Sequence, residues 1–360
     1  MLLGIGFKVV LITSVLLGVL VPTRARLLAG RSALPEIEDG PFSSHAVVGL
    51  IRPLAQLLDL IVIDARAALP RRRETHIAVA VVFAAPLSAF AVIPFGSRYL
   101  LGGSEIDLVV ANLDWGILWL SGAAMLSIFG SIALVRDPEK RVPHGVVKIS
   151  FAVGAGLALA ALAMVFGTLC PTAIAVAQDQ NFSIGGLFGP ALVGFQQLQL
   201  PAWGALFQPI SLLLYTVCAL GMLQTSGADA SDEPGSRFTG AQYLLVRTAE
   251  HLDHLLVASV VVALFFGGGA LPYVSGSSII EGIGAYFGTG LATLLCMAIH
   301  TSVFFVKVVM VVALLGSLDR RIKGLTFATS LNLCWKVVVP LSLLNLFVTA
   351  YFLLAVETAQ

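Results

Sequence analysis

Residues 250–274 read "EHLDHLLVASVVVALFFGGGALPYV", and their two halves disagree. The first five positions carry Glu250, His251, Asp253 and His254. The next twenty, 255–274, carry no charge. A run of about 20 apolar residues is long enough to cross a bilayer as a helix. The stretch therefore reads as a membrane helix with a cluster of acids and imidazoles at its mouth. On a helix, Glu250, Asp253 and His254 share one face by their three- and four-residue spacing.

The rest of the chain repeats the apolar half of that pattern. Of its 360 residues, 58% are hydrophobic and 11% charged, where a soluble domain carries about 25% charged residues. The expected fold is all-α, a polytopic bundle of about eight spanning helices forming a single integral membrane domain over 1–360. The spans fall at about 2–22, 77–97, 114–135, 146–168, 202–223, 245–272, 286–316 and 335–356. The apolar run at the N-terminus is longer than a signal-peptide core, is interrupted by Lys8 and is followed rather than preceded by basic residues. It is expected to stay as the first span.

A ninth apolar segment, 47–63, is broken by Arg52, Pro53, Gln56 and Asp59. It reads as an amphipathic helix along the surface or a shallow insertion. The alternative, a ninth span, would put the later basic loops on the wrong side. Eighteen of the Lys and Arg residues fall in or beside the odd-numbered loops, eight of them between Arg24 and Arg73, and only Arg98 falls in an even one. Positive charge stays on the cytoplasmic side. The odd loops are thus expected in the cytoplasm and both termini outside. The net charge of +1 and the lack of a basic tail give no reason to expect nucleic acid as a partner.

Several familiar chemistries are missing. "FFGGGALP" (265–272) follows a span and lacks the Lys and Ser or Thr of a phosphate loop, so it reads as a helix end. His300 stands alone, without a partner for haem, and reads as a hydrogen-bonded core residue. Asp114 reads as an N-cap or an interfacial residue at an outer helix end. The four cysteines, at 170, 218, 296 and 334, have no metal-ligand or redox spacing and read as small apolar filler. No covalently bound cofactor is expected. Ionisable residues inside spans are costly and point to function, which singles out Lys307 in the seventh span. For 250–254 three readings stay open: a polar interfacial collar, a metal site, or proton handling and quinone-headgroup contact, since His titrates near neutral pH.

Taken in order, several stretches resemble one family. "GLIRPLAQLLDLI" (49–61), "APLSAFAVIPFG" (85–96), "KISFAVGAGLALAALAMVFGTL" (148–169), "AEHLDHLLVASVVVALFFGG" (249–268), "FFVKVVMVVALL" (304–315) and "CWKVVVPLSLLNLFVTAYF" (334–352) resemble membrane subunit 1 of complex I, the respiratory NADH:quinone oxidoreductase. The resemblance implies a non-redox subunit of a translocase. With other membrane and hydrophilic subunits it would help form the quinone-access chamber and couple quinone reduction to proton translocation. Quinone would be the substrate of the whole complex. The lipid bilayer, here a bacterial plasma (inner) membrane, would be its surroundings. An equivalent subunit of a membrane-bound hydrogenase-type complex is the alternative, and an unrelated secondary transporter a further one.

By position, Glu250 matches a family glutamate, Lys307 a family lysine, and Arg24 and Arg26 the basic end of the first helix. The departures are as instructive. Ala152 and Gln224 stand where the family has glutamates, and Gln56 stands where it has an aspartate, with Asp59 three residues on. The resemblance then implies either reduced proton pumping or a route rebuilt through Glu250, His251, Asp253 and His254.

Overall fold

A computed structural model of the chain describes residues 73–101, 104–135, 138–183, 199–227, 240–322 and 327–359. The expected first span 2–22, the segment 47–63 and the candidate residues Arg24, Arg26, Gln56 and Asp59 lie outside the described residues.

The described chain is helical apart from two short hairpins. In order it forms α1 (Arg73–Phe90), β1 (Arg98–Leu101), β2 (Ser104–Asp107), α2 (Gly116–Leu134), α3 (Pro138–Phe166) and α4 (Pro171–Gln178). Then come β3 (Asn181–Ser183), β4 (Gln199–Pro201), α5 (Gly204–Phe207), α6 (Pro209–Gly227) and α7 (Gly240–Phe265). The last part holds α8 (Gly276–Phe287), α9 (Thr289–Ile322), α10 (Phe327–Leu333), a π-helical turn (Cys334–Val338) and α11 (Val339–Ala359). The strands pair antiparallel, β1 with β2 and β3 with β4. Arg98 closes the first hairpin, at 2.8 Å from Asp107 and 3.3 Å from Glu105.

The all-α membrane bundle is what the sequence led one to expect, but fewer helices reach full length. Among the described residues five are long and apolar enough to cross a membrane: Gly116–Leu134, Gly145–Phe166, Thr248–Phe265, Thr289–Leu318 and Ala328–Ala355. Two apolar helices, His76–Phe90 and Pro209–Leu223, are shorter. Backbone chemistry explains the differences. The segment 77–97 stops being helical at Phe90, ahead of Pro94, which has no N–H to donate. The segment 202–223 is cut at Gln208. The following Pro209 disfavours the helical region there, and Gln208 sits at φ −135°, ψ 62°. The segment 286–316 is divided by Gly288, whose φ of +81° suits a glycine. In 335–356 the helix continues, but through a π turn. Pro340 cannot donate to the carbonyl of Lys336 four residues back, and the turn falls at that place.

α3 packs on α6 and α11, α1 on α2 and α7, and α7 on α9. Small residues allow the close approaches, as is usual in membrane bundles. A Cβ on Gly221 would lie 2.6 Å from the ring of Phe151, and one on Gly154 would lie 2.8 Å from Cys218 Sγ. α7 is the central element. Two thirds of its apolar stretch (67%) is buried, the most of any span, with Val262, Leu264 and Phe265 fully so.

Candidate functional site

The helix that carries "EHLDH" ends earlier than its sequence suggests. α7 stops at Phe265, and Gly267 (φ +68°) and Gly268 (φ +55°) turn the chain away. Residues 255–265 alone make a helix of only ~16 Å, far short of the ~30 Å hydrocarbon core. The helix therefore draws on Thr248–Leu252 and beyond to cross, and its apolar window is Thr248–Phe265. Glu250 and Asp253 are consequently carried into the bundle instead of standing at its mouth.

There they line a cavity of about 250 Å³ between α1, α2, α3, α6 and α7. Ser127 Oγ of α2 donates to Asp253 Oδ2 at 3.3 Å. One helical turn further along α2, Ser131 Oγ accepts from the ammonium of Lys148 at 3.0 Å. Lys148 belongs to α3, is 3% exposed and lines the same cavity. Its charge attracts both Asp253 and Glu250. Ala152, one turn beyond Lys148 on α3, contributes only a methyl group to the wall. The deeper wall is apolar, from Leu256, Val257 and Val260 of α7 and Leu159 of α3. His254 is engaged elsewhere: its Nδ1–H donates to the Glu250 carbonyl at 2.7 Å, a bond back into its own helix that also fixes its tautomer. His251, half-buried, is not among the lining residues. Gln224 lies near the end of α6.

The sequence counted Lys148 among the surface basic residues of the third loop. Its burial removes it from that tally without reversing the asymmetry. The sequence did contain a signal, since Lys148 opens the apolar run 148–169, but counting basic residues by loop hides it.

Lys307 is brought to the opposite end of α7, about 16 residues or ~24 Å along the helix from Glu250. Its ammonium donates to the carbonyls of Phe266 (2.9 Å), Gly268 (3.1 Å) and Ala270 (2.6 Å). It also sits 4.9 Å from the centre of the Trp203 ring. All three protons of the ammonium are thereby used on the turn that terminates α7. Gln178 holds the same turn. Its amide nitrogen donates to the Leu264 carbonyl at 2.9 Å, and its oxygen accepts from Gly204 N and Gly267 N.

A second polar group lies beside this turn. The Tyr99 hydroxyl and His300 Nδ1 are hydrogen-bonded. His300 is fully buried, as the sequence reading of a core histidine requires, and its Nε2 has no partner. Ser97 and the charge of Lys307 both favour the Asp179 carboxylate, but burial dominates and pushes its carboxyl above the usual range. Burial likewise raises the Tyr99 phenol. A third buried network ties α6 to α11: Gln208 donates to Thr349 Oγ1 at 2.7 Å, and Asn345 donates to Ser211 Oγ at 2.9 Å. Asp114 is not a helix cap; the N-cap of α2 is Trp115, with no side-chain bond. Among the described residues no group of three or more His, Cys, Asp and Glu side chains is arranged to hold a metal ion.

The order of these elements can be set beside known proteins. The NADH dehydrogenase family model matches residues 39–350. The chain belongs to that family. Its relatives match most of this chain. It is similar to the second of the NADH-quinone oxidoreductase H subunits of Syntrophobacter fumaroxidans, at 26% identity, covering 85% of this chain and 83% of the relative. It is similar to the NADH-quinone oxidoreductase H subunit of Thermomicrobium roseum, at 25% identity, covering 86% and 83%. The first of the NADH-quinone oxidoreductase H subunits of Cytophaga hutchinsonii is 23% identical, covering 72% of this chain and 70% of that protein. Membership of the NADH dehydrogenase family and the apolar helices together make the chain an integral membrane protein.

Proposed function

We propose that the chain is the non-redox membrane subunit of an NADH:quinone oxidoreductase of complex I type, and that its cavity handles protons in step with quinone reduction. The observation that carries this reading is the cavity, where two carboxylates and an ammonium share one space among mostly apolar helices. Such groups cost several kcal/mol each to bury, and a bundle held together only by packing has no use for them. The sequence carries no cysteine or histidine spacing of a redox centre, and this reading therefore leaves reduction of the quinone to redox centres on partner subunits.

The cavity volume refines the assignment. At about 250 Å³ it is below the ~300–1,000 Å³ of pockets that enclose a small organic ligand. A water needs only ~10–15 Å³ by the same measure, so the cavity suits a file of waters. A chamber large enough for a quinone then needs walls from the neighbouring subunits. Glu250 and Asp253 serve as the proton-holding groups. With the basic loops in the cytoplasm, the end of α7 bearing Glu250 faces that side of a bacterial plasma membrane.

The test is a mild-detergent pull-down of the tagged chain, with partners identified by mass spectrometry and the complex assayed for NADH:quinone activity. Recovery of redox and antiporter-like subunits with activity is expected. The chain purifying alone would refute the subunit reading.

A further inference from the structure

Two serines of α2, four residues apart, hold opposite charges. Ser127 bonds the Asp253 carboxylate of α7 and Ser131 bonds the Lys148 ammonium of α3. Residues at this spacing lie about 5–6 Å apart on one helix face. The hydroxyls therefore keep the two charges side by side across the cavity without closing them into a contact pair. Lys148 and Asp253 do not form one of the ion pairs within 4 Å among the described residues. A pair that served only to satisfy two buried charges gains most by direct contact. Here each partner is instead oriented by its own hydroxyl, with cavity between them.

We propose that Lys148 is a proton-exchanging member of this cavity, passing its proton to Asp253 and recovering one from the side of Glu250. The step balances: the N–H bond at Lys148 Nζ breaks, an O–H bond forms at Asp253, and an ammonium and carboxylate become an amine and a carboxylic acid. The total charge of the cavity does not change, which an apolar surround requires of any state it is to hold. The ionisable groups facing Lys148 are Glu250 and Asp253 from α7 and the Tyr215 phenol from α6. α1 contributes only Val82 and Pro86, and α2 only apolar groups and the hydroxyls of Ser121, Ser127 and Ser131. This inference rests on the proton-handling reading above.

Arginine separates proton exchange from mere counter-charge, because a guanidinium keeps its proton at any accessible pH. The experiment uses the whole complex in inverted membrane vesicles, with NADH and a short-chain ubiquinone as probes. Its readout is proton uptake per quinone reduced, with assembly checked on native gels. The ratio is expected to fall at least fivefold in K148R and in K148M. A wild-type ratio in K148R would overturn the proposal and leave Lys148 as a counter-charge. K148M/D253N guards against a folding failure, since it removes both charges together. It is expected to assemble with the ratio still lost, and a restored ratio would overturn the proposal too. Wild-type vesicles that reduce no quinone would instead refute the subunit reading itself.

Discussion

Replacing Lys307 by methionine should weaken the fold before it touches any chemistry. The ammonium donates to three carbonyls of the turn after α7, at 2.6–3.1 Å. Methionine fills similar space and donates to none. Side-chain hydrogen bonds between membrane helices average about 0.6 kcal/mol, so three of them contribute about 2 kcal/mol as a lower figure. Bonds from a charged donor in proteins run at about 1.5–3 kcal/mol, so three of them give about 9 kcal/mol as an upper one. Asp179, which loses the cation that attracts it, adds to the loss. The expected destabilisation is therefore about 2–9 kcal/mol. All four cysteines are free and buried, so a thiol-reactive fluorophore reports unfolding of the purified chain in mixed micelles titrated with SDS. A midpoint shift equivalent to less than about 0.5 kcal/mol would refute the assignment of Lys307 as the clamp of this turn. If quinone reduction by the complex fell while the midpoint held, Lys307 would belong to the reaction instead.

Other outcomes follow from the same contacts. Glu250→Gln should lower proton uptake per quinone severalfold, because an amide cannot take up and release the proton a carboxylate does; an unchanged ratio would leave Glu250 as a polar wall residue. Gly269→Ala should destabilise by about 1–3 kcal/mol, because a Cβ there would sit 2.4 Å from the His300 carbonyl and 2.6 Å from that of Phe95; SDS titration reads this directly. Asp179 carries a carboxyl that burial shifts upward from 3.8. The unfolded chain then gives up this proton at lower pH than the folded one, so the folded state loses stability as pH rises from 3.8 through the folded value. Asp179→Asn should remove that slope, and its advantage over the native chain should be larger at pH 8 than at pH 4. A difference that does not change with pH would refute the assignment.

Sequence made the helices easy to find and their interruptions hard. An apolar run announces a span through composition alone. The break at Gln208 depends on one proline, and the π turn at Cys334–Val338 on another, each inside a run that stays apolar throughout. The early end of α7 was hidden for the same reason. Residues 266–274 are as uncharged as the helix before them, so the run reads as twenty usable residues when the helix uses eleven of them. That misjudged length is what made Glu250 and Asp253 look like mouth residues. Lys148 was obscured by the opposite habit, of treating a lysine near a loop as solvated. The Tyr99–His300 bond joins residues 201 positions apart, a separation over which no spacing rule operates. The carboxylates of "EHLDH" were legible as chemistry; their partner on α3 was legible only as a charge.

The shortness of α1 has a consequence for how this protein meets solvent isotopes. Its apolar part, His76–Phe90, covers only ~22 Å of a ~30 Å hydrocarbon core. The remaining depth falls to residues 91–97, which are not helical but are mostly buried. Their backbone is paired sideways instead, with Phe95 N–H donating to the Leu108 carbonyl at 2.8 Å and Ala111 N–H to that of Ala91 at 2.7 Å. In heavy water such amides exchange as slowly as those of a helix, because exchange responds to burial and bonding and takes no account of the shape of the turn. A deuteration map of this chain would draw the end of the protected segment that begins with α1 well beyond Phe90.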